Sequence, residues 1–223
     1  MRSSSRLSRP RAAVSALVCA LGLMGAALSA PAQAHGGHPP GFAPAPARDF
    51  YFVLSGGLTG GGDKLAEVRY SNGDREAIRA GGLFQLNAGL LWQPALAPVS
   101  VQATIGWHAD SIDASNGDVV FSRVPVEVLG YFTGVPRWRF GGGARFVRDA
   151  RLETDVDGFS DTLRFRDSTG LVLEAGYQIA PRGWLNVRFT DEEYEAQSFN
   201  GLRVVPTGTT SARSVGVNLL WMF

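Results

Sequence analysis

The sequence predicts an all-β fold, an eight-stranded antiparallel up-and-down transmembrane barrel behind a cleaved leader. Three observations predict it. Apolar and polar residues alternate with period two after residue 49, Asx-Gly turn pairs recur at nearly constant spacing, and the N-terminus carries an export pattern. Composition agrees. With 28 glycines in 223 residues, 45% hydrophobic and 18% charged residues, and a mean hydropathy near zero, the chain is neither a helical membrane protein nor a disordered tail.

Residues 1–34 read as a signal peptide. Arg2, Arg6, Arg9 and Arg11 precede an apolar stretch from Ala12 to Ala30, and Ala32-Gln33-Ala34 supplies the small-residue cleavage pattern. The mature chain then begins at His35. Removing the leader takes away four arginines and the single cysteine, Cys19, leaving 17 basic against 20 acidic residues and a net charge of about −3. No nucleic-acid partner is expected on charge grounds, and no disulfide is possible. Export without cysteine suits a Gram-negative envelope. Residues 35–48 (HGGHPPGFAPAPAR) read as a Pro/Gly-rich linker, and the barrel occupies 49–223.

Within the barrel region the alternation assigns faces. Val99, Val101, Ala103, Ile105 and Trp107 point one way while Ser100, Gln102, Thr104 and Gly106 point the other. The same pattern runs through Phe84 to Trp92, Val124 to Phe132, Trp138 to Phe146, Leu171 to Ile179, Leu185 to Phe189 and Val215 to Phe223. The turns give the strand count. Asn72-Gly73, Asn116-Gly117, Asp157-Gly158 and Asn200-Gly201 are spaced 44, 41 and 43 residues apart and favour hairpin turns of positive φ. Midway lie Pro94 to Pro98, Thr133 to Pro136 and Ala180 to Gly183, so seven turns separate eight strands of about 18 to 24 residues. The strongest alternation borders the Pro/Gly turns, while the Asx-Gly ends are charged. That asymmetry predicts short turns on one side of a membrane and long hairpins on the other. Trp92, Phe132, Trp138, Tyr177, Trp221 and Phe223 fall near the short turns, where an aromatic girdle belongs.

The terminus SVGVNLLWMF, apolar at Val215, Val217, Leu219, Trp221 and Phe223, resembles the C-terminal signature of bacterial outer-membrane barrels. From Phe50 to Phe223 the chain resembles the small OmpA/OmpX-type barrels. The resemblance implies an outer-membrane location and C-terminal recognition by the barrel-assembly machinery. It also implies contact with outer-membrane lipid and lipopolysaccharide, and no particular activity.

If the apolar set faces outward, Glu127, Arg139, Arg145, Glu174 and Arg188 face inward. Eight strands enclose a space only wide enough for side chains. Pairing strands about the short turns puts Glu127 and Glu174 beside Gly141, Arg139 diagonal to both and Arg188 opposite Glu174, a Glu-Arg-Glu-Arg ladder plugging the lumen. Gly141 and Gly143 are expected to make room for the arginine stems. Solvated charges in a small wet lumen are the competing expectation.

Other candidate chemistry is thin. His108 precedes Asp110, Ser111 and Asp113, a composition to weigh for a His-Ser-acid hydrolase. The segment lacks the His-x-Ser-Asn pattern of lipid A deacylases, and a rim histidine near a hairpin tip is expected instead. His35 and His38 are too few for a metal site, and the clusters Asp155 to Gly158 and Asp110 to Asp118 lack EF-hand spacing. Gly60 to Gly62 and Gly141 to Gly143 lack the Lys-Ser/Thr of a phosphate loop. No catalytic residue, metal or cofactor is expected. The expected role is structural or surface-interacting, through four exposed hairpins with a possible surface ligand. A narrow channel for ions or small solutes is the alternative, followed by a lipid A-modifying barrel and a soluble secreted β-sandwich.

Overall fold

A computed structural model describes residues 49–69, 75–114, 117–156, 158–206 and 208–223. The leader, the linker with His35 and His38, and Asn72-Gly73, Asn116 and Asp157 of the turn pairs lie outside the described residues. The strands are β1 (Phe50–Gly61), β2 (Lys64–Arg69), β3 (Arg75–Arg79), β4 (Leu83–Trp92), β5 (Val99–Ala114), β6 (Gly117–Val135) and β7 (Trp138–Val156). They continue as β8 (Phe159–Phe165), β9 (Ser168–Ala180), β10 (Gly183–Asp191), β11 (Glu193–Phe199), β12 (Leu202–Arg203), β13 (Thr209–Ser211) and β14 (Ser214–Met222).

Eight of these close a barrel. Antiparallel pairing runs β1-β4-β5-β6-β7-β9-β10-β14, and β14 returns to β1 with Val53 opposite Met222 and Gly61 opposite Ser214. Closure leaves no open edge along the cylinder. The short turns are tight: Val135 pairs Trp138 around Pro136-Arg137, and Ala180 pairs Gly183 around Pro181-Arg182.

The burial pattern is inside out relative to a soluble domain. Val99, Val101, Ile105 and Trp107 of β5 are exposed while Ser100, Gln102, Thr104 and His108 are buried. From Val99 to Trp107 the strand rises about 26 Å. At a tilt of roughly 40° that gives a belt some 20 Å tall, near the roughly 25 Å apolar band of a membrane barrel. Phe50, Phe52, Trp92, Phe132, Trp138 and Phe223 ring the short-turn end, with Trp138 packed 5.0 Å from Tyr177 and 5.8 Å from Phe140 by ring centroids. Trp107 and Phe84 pair at 6.4 Å on the opposite margin.

Above that margin the strands are not uniformly long, contrary to the expected 18 to 24 residues. β6 and β7 reach 19 residues each, whereas β1 stops after 12. Gly61 and Gly62, at φ 130° and 77°, turn the chain out of the barrel there, a geometry that glycine adopts without steric cost. The remaining segments build an extension from β5, β6, β7, β8, β11, β12 and β13, with β2 and β3 as a separate hairpin. Its faces are those of an ordinary soluble sheet. Ile78, Ile112, Val119, Phe121, Val147, Ala150, Leu152, Phe165, Tyr194 and Ala212 form a buried apolar core. Two irregularities set this up: a register shift between Ser122 and Val124 on β6, and Asp149 at φ 49° on β7. Asn200-Gly201, at φ 48° and 81°, forms the expected two-residue hairpin between β11 and β12.

Candidate functional site

Lumen-facing residues fall into three layers. At the short-turn end, Tyr51, Val53, Leu91, Trp184, Leu220 and Met222 pack into a buried apolar cluster. At the opposite end lies the apolar core of the extension. Between them sit the ions.

The middle layer is a chain of alternating charge. Arg139 reaches Glu174 at 3.0 Å, Glu174 meets Arg188 at 3.1 Å, Arg188 meets Glu127 at 2.7 Å, and Glu127 meets Arg145 at 2.9 Å. Arg145 then contacts Glu192 at 3.0 Å, and Glu192 lies 3.7 Å from Arg123. The Arg145–Glu192 contact is ionic, since its N–H direction misses hydrogen-bond geometry. The Arg188–Glu127 pair joins β10 to β6, which are separated along the wall by β7 and β9, so it spans the lumen. All seven side chains are buried. Buried charges are tolerable only when paired and hydrogen-bonded, and here every carboxylate is shared between two guanidinium groups.

Neutral groups complete the layer. Tyr131 donates to Glu174 at 2.9 Å, and Arg139 donates to Asn186 Oδ1 through Nε and Nη2, while Asn186 donates on to Asn218 at 2.7 Å. Arg139 also lies 4.3 Å over the Tyr131 ring and 5.0 Å over Trp184, tying the ions to the lower apolar cluster. The facing wall, from β14 through β1 and β4 to β5, is neutral at this level. It presents Ser55, Gln85, Asn87, Gln102, Thr104 and Asn218. Gln102 Oε1 and Thr104 Oγ1 make no hydrogen bond, and the gap lined by Gly57, Thr59, Gln85, Arg188 and Asn218 has no room for a water molecule.

All five expected inward residues, Glu127, Arg139, Arg145, Glu174 and Arg188, line the lumen, but the expected ladder needs correcting. Glu174 is opposite Gly141 and Arg188 opposite Glu174, yet Glu127 is opposite Arg145, four residues along β7 from Gly141. Tyr131 takes the place beside Gly141, because the two-residue turn at Pro136-Arg137 and the adjoining register shift set a different offset. The glycine roles change accordingly. A Cβ on Gly141 would strike the Tyr131 ring at 2.5 Å, so that glycine accommodates the phenol, while a Cβ on Gly176 would meet Arg139 Cγ at 2.9 Å. Gly176 makes room for the arginine stem.

His108 is not a rim residue; the lumen buries it. Thr59 donates its hydroxyl hydrogen to the Gly81 carbonyl at 2.8 Å and so accepts from His108 Nε2, also at 2.8 Å. The imidazole Nδ1 then accepts from Arg123 at 2.8 Å and Arg145 at 3.0 Å. This is a neutral ring with both nitrogens committed. Arg123 donates to the Ala80 carbonyl and packs 5.3 Å from the Phe121 ring centroid, while Tyr194 donates to Glu192 at 2.7 Å. Ser111, three residues along β5, is exposed on the other face, so the chain does not assemble a His108–Ser111 pair. Among the described residues no cluster of three metal-ligating side chains occurs. Sequence reasoning missed Arg123, Glu192 and His108 as members of the network. Continued inward parity along β6 and β5 marks Arg123 and His108.

No protein-family model matches the sequence, and no curated protein does. Solved structures similar to the chain include Neisserial surface protein A, at 11% identity and TM-score 0.45, covering 79% of this chain and 98% of that one. Ail, the attachment invasion locus protein of Yersinia pestis, aligns at 12% identity and TM-score 0.43, covering 78% and 97%. OmpT of Vibrio cholerae gives 13% identity and TM-score 0.27, covering 80% and 53%. Identities of this size transfer no residue role.

Proposed function

We propose that the chain is an integral β-barrel of the bacterial outer membrane, with a sealed lumen and a structural or surface-interacting role. The observation that carries this reading is the layering: an apolar belt outside, a fully paired ion chain inside, and apolar plugs above and below it. Hydrocarbon on the outside and satisfied charge on the inside is the arrangement a bilayer selects. The short-turn end with its aromatic girdle faces the periplasm, and the β-extension projects from the cell. The terminal strand, through Val215, Val217, Leu219, Trp221 and Phe223, is what the barrel-assembly machinery reads.

The surface role is supported by the extension. Leu152, Leu163, Phe199 and Leu202 are directly opposed across β7, β8, β11 and β12 and so share one face. Leu152 is buried in the core, whereas Leu202 is 75% exposed and Phe159 79%. An apolar row that runs from core to solvent marks a contact surface. Cell fractionation with heat-dependent gel mobility tests the membrane barrel, and planar-bilayer recording tests the seal. The expected result is an outer-membrane protein that shifts on heating and gives no large, stable conductance. Recovery from the soluble periplasm overturns the first claim, and a steady open channel overturns the second.

A further inference from the structure

The apolar row of the extension leads into an acidic tip. Register places Thr154 opposite Asp161 and Val156 opposite Phe159, on the same face as Leu152 and Leu163. From Leu163 to Phe159 that face runs about 13 Å along β8, and from Leu163 to Leu202 about 10 Å across the strands. Phe159 and Leu202 are strongly exposed there. Asp161, held by Asn200 Nδ2 at 2.7 Å, stands between Leu163 and Phe159 on β8.

Charge at the tip is one-sided. Asp118 is directly opposite Asp155, both are exposed, and neither makes an ion pair among the described residues. Like charges directly opposed destabilise a sheet, so stability does not account for the pair. The nearest cationic row is Arg151, Arg164 and Arg203, aligned in register through Ser198. Beyond it, β6, β7 and β8 carry Asp118, Glu153, Asp155 and Asp161, with no lysine or arginine. That row is largely neutralised in place. Asp149 meets Arg151 at 3.3 Å and Arg164 at 3.5 Å, and Glu153 meets Arg151 at 3.3 Å. Asp118, Asp155 and Asp161 have no such counter-charge among the described residues, and at the sheet edge Arg203 has none either. The carboxylates are not gathered for an ion, since no cluster of three metal ligands occurs among the described residues.

Resting on the surface-contact reading, we propose that the tip docks a cationic amphipathic polypeptide. Its apolar side chains lie on Phe159, Leu163, Phe199 and Leu202, and its lysines or arginines face Asp118, Asp155 and Asp161. Asp155 adjoins Val156, and Asp161 is two residues from both Leu163 and Phe159, so their field covers the apolar face within a Debye length of about 8–10 Å. Charge of this kind sets the encounter, and apolar contact sets the lifetime. A polyanion would meet free carboxylates here and arginines that are mostly paired. An uncharged apolar ligand would leave the carboxylates unused.

The test places the protein in phosphatidylcholine nanodiscs and follows a fluorescein-labelled peptide of repeated Leu-Lys-Lys-Leu units by fluorescence anisotropy, with protein-free nanodiscs as the blank. Wild type is expected to bind it, more weakly as salt shortens the Debye length. The same peptide with every lysine changed to glutamate, or every leucine to serine, should not bind. Asp118→Asn with Asp155→Asn, and Phe159→Ser with Leu202→Ser, should each lower affinity roughly tenfold. The first pair of changes relieves like-charge repulsion, so the exposed hairpins should stay at least as resistant to protease while binding is lost. Asp167→Asn with Glu195→Gln makes the same change in net charge nearer the belt and should leave affinity unchanged. Heat-dependent mobility checks that each variant is still a barrel. Equal loss in the Asp167 and Glu195 variant, undiminished binding in either tip variant, or tighter binding of dextran sulfate than of the lysine peptide overturns the proposal. A chain that does not enter nanodiscs defeats the membrane reading and the docking with it, whereas insertion without peptide binding defeats the docking alone.

Discussion

Glu127 is the position at which the paired-lumen reading is most exposed to test. It accepts from Arg145 Nη1 at 2.9 Å, from Arg188 Nη1 at 3.1 Å and from Arg188 Nη2 at 2.7 Å. Three hydrogen bonds to a charged group, at about 1.5–3 kcal/mol each, would sum to about 5–9 kcal/mol if nothing compensated. Compensation exists, because Arg145 keeps Glu192 and Arg188 keeps Glu174. The expected cost of Glu127→Leu is therefore nearer to the about 3–5 kcal/mol typical of breaking a buried pair. Reversible urea unfolding from lipid vesicles measures it. Because the damage comes from guanidinium left short of a partner, Glu127→Leu with Arg145→Leu should cost less than the sum of the two single changes, by about 0.5–3 kcal/mol. A single-variant cost below about 1 kcal/mol, with strict additivity, would mean that these charges are solvated and that the lumen is wet.

The neutral wall predicts the opposite sign. Thr104→Val removes a buried hydroxyl that has no partner, and should be neutral or stabilising by up to about 1 kcal/mol in the same assay. In the extension, Phe121 packs edge-on to Phe165 at 5.9 Å and Tyr194 at 6.0 Å, so Phe121→Ala should cost about 3–5 kcal/mol. Faster proteolysis of the exposed hairpins, with the membrane belt still protected, would report it. Asn200 accepts from the Thr162 amide and donates to Asp161, both within 2.8 Å, and sits at positive φ. Asn200→Val should loosen the β11–β12 hairpin by roughly 1–2 kcal/mol through lost bonds and backbone strain, seen as faster amide exchange from 198 to 203 alone. His108→Ala and Ser111→Ala should leave the lipid A acyl pattern of cells unchanged, which mass spectrometry of extracted lipid A checks.

The barrel half of the fold was legible because one physical rule governs all of it. A residue's parity decides whether it faces outward or into the lumen, and the eye can follow Val99 to Trp107 or Val215 to Phe223 without knowing any partner strand. Register across strands was less legible. It depends on how many residues each turn consumes, and the Pro136-Arg137 turn moved Glu127 from Gly141 to Arg145. Above the belt, parity itself misleads. Odd residues of β7 face the lumen through Val147, but Asp149 at φ 49° shifts the phase, so that Ala150 and Leu152 turn inward in place of Asp149 and Arg151. Nothing in the local sequence announces that irregularity. Glu192 was invisible for a related reason, since it lies between β10 and β11, where the barrel strand ends and the extension begins.

The layering also explains why the ion chain and the apolar plugs occur together. An open lumen would hydrate Arg188 and Glu127, and their pairing would then contribute little. With Trp184 and Leu220 closing one end and Phe121 and Tyr194 the other, the charges lose water and must find protein partners, which makes each pairing worth more and each mismatch costly. Pairing and sealing are thus one device. A change that opens either plug should weaken the ladder beyond the direct cost of the lost apolar contacts. Trp184→Ala tests this directly, because the indole both fills the lower plug and lies 5.0 Å from the Arg139 guanidinium. Combined with Glu174→Gln, it should show a smaller loss than the two separate changes add up to, by about 0.5–3 kcal/mol. Additive losses would make the plug and the ladder independent.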